Sequence, residues 1–243
     1  MVRKRGSVQV ALLSAQFGVS MQTIRKDLHY LTLRGVAARS YGGAIAAEAV
    51  SVISEPAVEA KRTIHTEEKD RIGRAAAAMV RPGDSIVLDS GTTTLQIARH
   101  LPDDEDITVL TNDFGVLAAL VQKSRIRIVM LGGELRRKNM AFYGGQTVDA
   151  LTDLHVDKLF LGVDGFDLEC GITTHHEPEA MLNRKMAQAA RAVIAVTDSS
   201  KFGRVCLRRI ISVGDLHALV TDTSAPDYIR EASVTMGFEL HLA

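Results

Sequence analysis

The sequence lacks the usual signs of a metal knuckle, a disulfide framework, a membrane span or a nucleotide cradle. Its two cysteines, Cys170 and Cys206, share no CxxC spacing, so they read as reduced thiols of a cytoplasmic protein. No apolar run approaches the roughly 20 residues that a bilayer span requires, and no charged-then-apolar leader opens the chain. The expectation is therefore a soluble, cytoplasmic protein with no membrane partner. DSGTTT, the most suggestive glycine turn, lacks the Gly-x4-Gly-Lys-Ser/Thr spacing of a P-loop and is no GxGxxG, which argues against a nucleoside triphosphate. No cofactor and no metal is expected. Internal repeats and low-complexity tracts are missing too. So is net charge, with 29 Lys and Arg against 29 Asp and Glu, and that balance alone argues against a nucleic-acid partner.

What the chain does have is unevenly placed. Residues 1–45 carry Arg3, Lys4, Arg5, Arg25, Lys26, Arg34 and Arg39 against the single acid Asp27. The remainder is correspondingly acidic, the pattern of a small nucleic-acid-binding module joined to a neutral-to-acidic domain. With 243 residues, 46% of them hydrophobic, the chain can bury one large core or two smaller ones. In VALLSAQFG, Leu12, Leu13 and Phe17 lie near helical spacing, Gly18-Val19 turns the chain, and Ser20 is a good N-cap. The helix that follows, MQTIRKDLHYLTLRG, puts Ile24, Leu28 and Leu31 on one apolar face, with Gln22, Arg25, Lys26 and His29 largely off it. VAARSYGGAI then offers two short extended pieces around Gly42-Gly43, enough for a β wing.

A helix–turn–helix lays the N-terminal half of its second helix in the major groove. Ser20, Gln22, Thr23, Arg25 and Lys26 occupy that half. Arg can fork onto guanine and Gln onto adenine, and Arg39, Ser40 and Tyr41 in the wing could add backbone or minor-groove contacts. On spacing alone, a solvated amphipathic helix pair is an equal alternative.

Residues 46–65, alanine-rich with Pro56, read as a linker, and a helix over EEKDRIGRAAAAMV follows, capped by Thr66 and ended near Pro82-Gly83. Strand-like runs then alternate with helical ones. The strands are SIVLD, ITVLT, IRIVMLGG, KLFLGVDG, AVIAVTD, ALVTD and FELHL; the helices are TTTLQIARHL, FGVLAALVQK, QTVDALTDL, EPEAMLNRKMAQAA and PDYIREASVTMG. This rhythm implies βαβ units and a mainly parallel sheet. The strand runs are apolar at nearly every position, as strands covered on both faces should be.

Ligands of open α/β sheets collect at the carboxyl ends of strands. After the first strand come Asp89, Ser90, Gly91, Thr92, Thr93 and Thr94; after the second Thr111, Asn112 and Asp113; after the third Gly132, Gly133 and Glu134. The fourth gives Asp164 and then Gly171, Thr173 and Thr174, with Glu177 and Glu179 beyond, and the fifth gives Asp198, Ser199, Ser200 and Lys201. Hydroxyls, amides, carboxylates and one lysine at so many strand ends suit a phosphorylated polyol. His175-His176-Glu177 has no metal-ligand spacing, and adjacent histidines point in different directions. Arg184 and Lys185 read as solvent-facing charges.

FGVSMQTIRKDLHYLTLRGVAARSYGGA resembles the winged helix–turn–helix of the DeoR family of bacterial transcription regulators, through Val19-Ser20, Thr23-Ile24-Arg25, Asp27-Leu28 and Gly42-Gly43-Ala44. Tyr41 stands where many members have His. The resemblance continues through LDSGTTT, LTND, LGGELRR, YGGQTVDAL, FLGVDGFDLECGITT, EPEAMLNRKM and TDSSKFGR. It implies a winged helix–turn–helix (1–45), a linker (46–65) and an effector domain (66–243) with a Rossmann-like, ribose-5-phosphate-isomerase-like, mainly parallel sheet. GVDGFDLECGITT and TDSSKFGR look most like the branch controlling N-acetylgalactosamine, galactosamine and tagatose use. Members of the family begin with a helix of a dozen or so residues where this sequence has MVRKRG. The expectation is a start site assigned too late or weakened DNA binding. Uncovered Leu12, Phe17, Ile24 and Leu28 would each cost roughly 1.5–3 kcal/mol.

The resemblance thus implies a repressor, not an enzyme, with operator DNA and a phosphorylated sugar as partners. Ser20, Gln22, Thr23, Arg25, Lys26, Arg39 and Tyr41 would meet DNA. The first three strand-end groups, with Asp164, Gly171, Thr173, Thr174 and Lys201, would hold the effector. Paired half-sites call for a homo-oligomer, a dimer or tetramer. The alternative is a sugar-phosphate isomerase or deaminase with a regulatory appendage, because sugar-binding carboxylates and catalytic bases share residue types.

Overall fold

The computed structural model describes residues 7–33, 37–40, 43–46 and 55–243. It divides into two compact units: Met1–Glu55 with Asp164–His175 and Lys201–Val213, and Pro56–Val163 with His176–Ser200 and Gly214–Ala243.

The first unit opens with strand β1 (Ser7–Gln9) and helices α1 (Val10–Phe17) and α2 (Met21–Leu33). Gly18, at φ 63°, ends α1 in the left-handed conformation that favours glycine. The Ser20 hydroxyl accepts the Thr23 amide at 3.1 Å, starting α2 as the sequence reading expected. Strands β2 (Ala37–Ser40) and β3 (Gly43–Ala46) complete an antiparallel sheet in the order β1-β3-β2. The presence of β1 was not foreseen. Val8, Val10, Leu13, Ile24, Leu28, Ala37 and Ala44 form one core. Ile24 and Leu28 are therefore covered, contrary to the expectation of four uncovered side chains, whereas Leu12 and Phe17 are 63% and 56% exposed. Residues 1–6 and Tyr41 lie outside the described residues.

The second unit begins within the stretch expected to be a linker, with the short helix α3 (Val58–Arg62). Helix α4 (Thr66–Ala77) starts at Thr66 itself, with His65 at φ 53° as its N-cap and no side-chain cap. Thr66 is thus not the cap that the sequence suggested. The buried Lys69 ammonium explains the turn, since it donates to the carbonyls of Lys61 and Ile64, both at 2.6 Å.

The chain then alternates through β4 (Ser85–Leu88), α5 (Thr92–His100), β5 (Ile107–Thr111), α6 (Phe114–Leu120) and β6 (Ile126–Met130). A hairpin of β7 (Glu134–Arg136) and β8 (Ala141–Tyr143) leads into α7 (Gly145–Asp149) and β9 (Val156–Gly162). Strands β10 (Gly165–Asp167), β11 (Gly171–Thr174) and β13 (Arg208–Ile211) form a small antiparallel sheet belonging to the first unit. GITT, read as a loop, is therefore a strand. Helix α8 (Glu177–Ala189), β12 (Ala190–Val196), β14 (Ala218–Thr221), α9 (Asp227–Met236) and β15 (Glu239–Leu242) complete the second unit.

All seven foreseen strands join one parallel sheet, ordered β15-β14-β12-β9-β4-β5-β6. On one face, Ile86, Leu88, Val109, Phe160, Ile194 and Val196 pack with Ile72 and Ala76 of α4, Ile97 and Ala98 of α5, and Val116 and Leu120 of α6. Helix α8 lies against β9 and β12. A Cβ on Gly73 would sit 2.4 Å from Gln96 Cβ, so only glycine permits α4 to cross α5 this closely. The sequence order of strands reverses at β4: β5 and β6 follow on one side, β9, β12, β14 and β15 on the other. In open α/β sheets ligands bind at such a reversal, here beyond the carboxyl ends of β4 and β9.

Candidate functional site

The strand-order reversal brings Asp89, just after β4, against Gly162 at the end of β9. Asp89 is 1% exposed, and its Oδ2 accepts the Gly162 amide at 3.3 Å and Asn183 Nδ2 of α8 at 3.2 Å. Next to it, Ser90 Oγ lies 3.0 Å from the Tyr143 hydroxyl, which also accepts Asn139 Nδ2 at 2.5 Å. The phenol therefore bridges the β4 loop and the β7–β8 hairpin. Burial first, then the negative charges of Glu179 and Asp89, push the Tyr143 phenol well above its usual pKa. It stays protonated and able to donate. The His176 ring meets Tyr143 edge-on, with centroids 5.6 Å apart.

Three amide oxygens here, those of Asn112, Asn139 and Asn183, are buried without a hydrogen-bond partner among the described residues. Buried acceptors are ordinarily filled. Amide oxygens left open in this way suit a ligand that donates several hydroxyls. Thr92 and Thr93 are buried at the start of α5, which has no side-chain cap. Leading amides of a helix are unfilled from within, and their partial positive charge favours an anion.

The other strand-end residues are placed differently. The Thr94 hydroxyl donates to Gly91 O at 2.9 Å, and that of Thr111 donates to Leu88 O at 2.8 Å. Asp113 caps α6 by accepting the Val116 amide at 2.8 Å. Burial pushes its carboxyl up from 3.8 to about 6, against the opposing amides of Val116 and Gly115, the Arg62 guanidinium and the Gly91 amide. Gly132 O accepts the Thr147 hydroxyl at 2.8 Å, and Glu134 is exposed on β7. Gly133, at φ 107°, leaves no space for a Cβ, which would fall 2.1 Å from Thr147 Oγ1.

Asp164, Gly171, Thr173, Thr174 and Lys201 belong to the first unit. There the Thr173 hydroxyl accepts the Cys206 amide at 2.9 Å, and that of Thr174 reaches Asp164 Oδ2 at 3.4 Å. Gly171 turns at φ 83°, and Lys201 is half-exposed in a short 3-10 helix. His175 meets Cys206 Sγ at 3.4 Å while His176 meets Tyr143, so the two neighbours do diverge. Arg184 is half-buried and paired with Glu177 at 3.3 Å, not simply a solvated charge.

The sequence reading named neither Tyr143, Asn139 nor Asn183 as site residues. Tyr143 carried the one usable signal, as the aromatic of the YGGQ motif.

In the first unit, Ile24 and Leu28 turn α2 inward, and Gln22, Arg25 and Lys26 are exposed on its outer side. Ser20 and Thr23 are exposed at its start, their hydroxyls 2.9 Å apart. Arg39 pairs in β2 with Ala44 of β3.

Two family models match the chain: the DeoR-like helix-turn-helix domain over residues 1–50, and the DeoR C terminal sensor domain over residues 64–223. A putative aga operon transcriptional repressor of Escherichia coli O157:H7 is 43% identical over 241 residues, covering 99% of this chain and 90% of its own. The glycerol-3-phosphate regulon repressor of Escherichia coli K12 is 31% identical, covering 100% and 95%. Among solved structures, ribose 5-phosphate isomerase A of Methanocaldococcus jannaschii matches with a TM-score of 0.43 and 17% identity, covering 57% of this chain and 55% of its own.

Proposed function

This chain belongs to the DeoR family of transcriptional regulators, and from that premise we propose that it represses an amino-sugar catabolic operon and is released from DNA by a phosphorylated sugar. It is a regulator and not an isomerase. The phosphate sits at the start of α5, on the leading amides and the Ser90, Thr92 and Thr93 hydroxyls. The sugar hydroxyls satisfy Asn112, Asn139 and Asn183, with Asp89 accepting and the Tyr143 phenol donating. The observation that carries this reading is the juxtaposition of an uncapped helix start with buried, unfilled amide oxygens at the strand-order reversal. Similarity to the aga operon repressor supports the amino-sugar class.

Gln22, Arg25 and Lys26 on the outer side of α2 read the operator, and Ser20, Thr23 and the wing residues Arg39 and Tyr41 fix its backbone. A homo-oligomer in the cytoplasm presents paired recognition helices to paired half-sites. Ligand and DNA favour different arrangements of that assembly, so each weakens the other's binding. A thermal-shift screen of hexose and amino-sugar phosphates, followed by fluorescence anisotropy on the adjacent promoter DNA, tests the reading. A phosphosugar that stabilises the protein and releases DNA is expected. A stabilising ligand without phosphate, or one that tightens DNA binding, overturns it.

A further inference from the structure

Among the described residues, helix α3 (Val58–Arg62) is the first helix that follows the DNA-binding module in the sequence. With 5 residues it is too short to hold itself by helix propensity, so its position depends on what grips its ends. At the start, the Val58 amide donates to Lys138 O at 2.9 Å. Lys138 adjoins Asn139, whose amide holds the Tyr143 phenol, itself 3.0 Å from Ser90 Oγ. At the other end lies Arg62. A Cβ placed on Gly115 would be 3.0 Å from Asp113 Oδ1 and 3.2 Å from Arg62 Nη2. Carboxylate and guanidinium thus converge on one small space above this glycine.

The loops carrying these two grips are also laced together. The Phe114 amide donates to Met140 O at 3.0 Å, and the Phe142 amide to Asn112 O at 2.8 Å. The start of α3 therefore rests on the β7–β8 hairpin, and its end brings the Arg62 charge near Asp113 at the start of α6.

We propose that α3 carries the occupancy of the pocket toward the DNA-binding module, with Arg62 as the positioning residue that follows the state of the Asp113 loop. The inference rests on the sensing role proposed above and adds to it the route of regulation. An anionic ligand beside Asp113 has the carboxylate's own sign. It either favours the neutral carboxyl or draws Arg62 to itself, and both weaken the grip on α3. The guanidinium has room to move. It borders an open cavity of about 460 Å³ lined also by Leu95, Arg99, Gly115, Ala118, Ala119 and Lys123. Its ion pair with Glu59, at 2.7 Å, is on the exposed side and weak.

The test uses full-length protein, operator DNA and N-acetylgalactosamine 6-phosphate as the probe, in wild type, Arg62→Gln and Arg62→Lys. Direct calorimetric titration of the wild type comes first, and failure to bind the probe there counts against the parent reading and removes the inference with it. In wild type the probe should weaken operator binding about tenfold or more. Arg62→Gln should bind probe and operator separately within about twofold of wild type, yet retain less than about a threefold effect of one on the other. Arg62→Lys, which keeps the charge, should recover much of the coupling. Full coupling in Arg62→Gln overturns the proposal, and so does loss of probe or DNA binding by itself, because that marks a structural role. Hydrogen exchange of wild-type residues 58–62 gives a readout independent of the variants. Exchange should speed several-fold on adding probe, and unchanged exchange also overturns the proposal.

Discussion

Replacing Asp113 with Asn separates the two tasks of this side chain. Asn can still accept the Val116 amide and cap α6, but it cannot ionise. Asp113 is 4% exposed, and burial raises its pKa from 3.8 to about 6. The folded protein therefore holds this proton more tightly than the unfolded chain does. Stability from that preference is fully present below about 3.8 and is lost as pH rises through about 6. Its full extent corresponds to about 3 kcal/mol. Between about pH 7.5 and about pH 5 only part is regained, about 1.4 kcal/mol. Urea unfolding followed by circular dichroism, for wild type and Asp113→Asn across this range, isolates the effect because other titrating groups cancel in the difference. Wild type should gain on the variant toward acid by about that amount. A flat difference would refute the reasoning. It would mean that Arg62 and the three amides already offset the cost of burial.

Other perturbations separate DNA reading, ligand binding and packing. Arg25→Ala should weaken operator binding by about 1–3 kcal/mol in anisotropy titrations, with the melting temperature unchanged because Arg25 is exposed. Tyr143→Phe removes the hydroxyl between Ser90 and Asn139 and should weaken phosphosugar binding about tenfold in calorimetry while leaving operator affinity intact. Gly133→Ala should destabilise the second unit by more than about 2 kcal/mol in thermal unfolding, because the new Cβ would meet Thr147 Oγ1 and Tyr143 O at 2.1 and 2.5 Å.

The parallel sheet was legible in the sequence because its strands are buried on both faces. Runs such as SIVL and AVIAV are apolar throughout and stand apart from the amphipathic helices between them. Asp89 and Ser90 were legible as strand-end residues for the same reason. Asn183 was not. It sits in the middle of α8 and reaches Asp89 from 94 positions away, and nothing local distinguishes it from an ordinary polar helix residue. Strand β11 was hidden because GITT, short and flanked by turn residues, has the composition of a loop, and only its pairing with β10 and β13 makes it a strand. Helix α3 was obscured by length, and its start is held by a hydrogen bond to Lys138 far along the chain.

Ligand-controlled DNA binding requires reciprocity, and that can be measured from both sides. Operator affinity is titrated with and without saturating N-acetylgalactosamine 6-phosphate, and affinity for the sugar phosphate is titrated with and without operator DNA. Both should weaken by one common factor, about tenfold or more. A sugar phosphate that binds while operator affinity stays unchanged would contradict the sensing role.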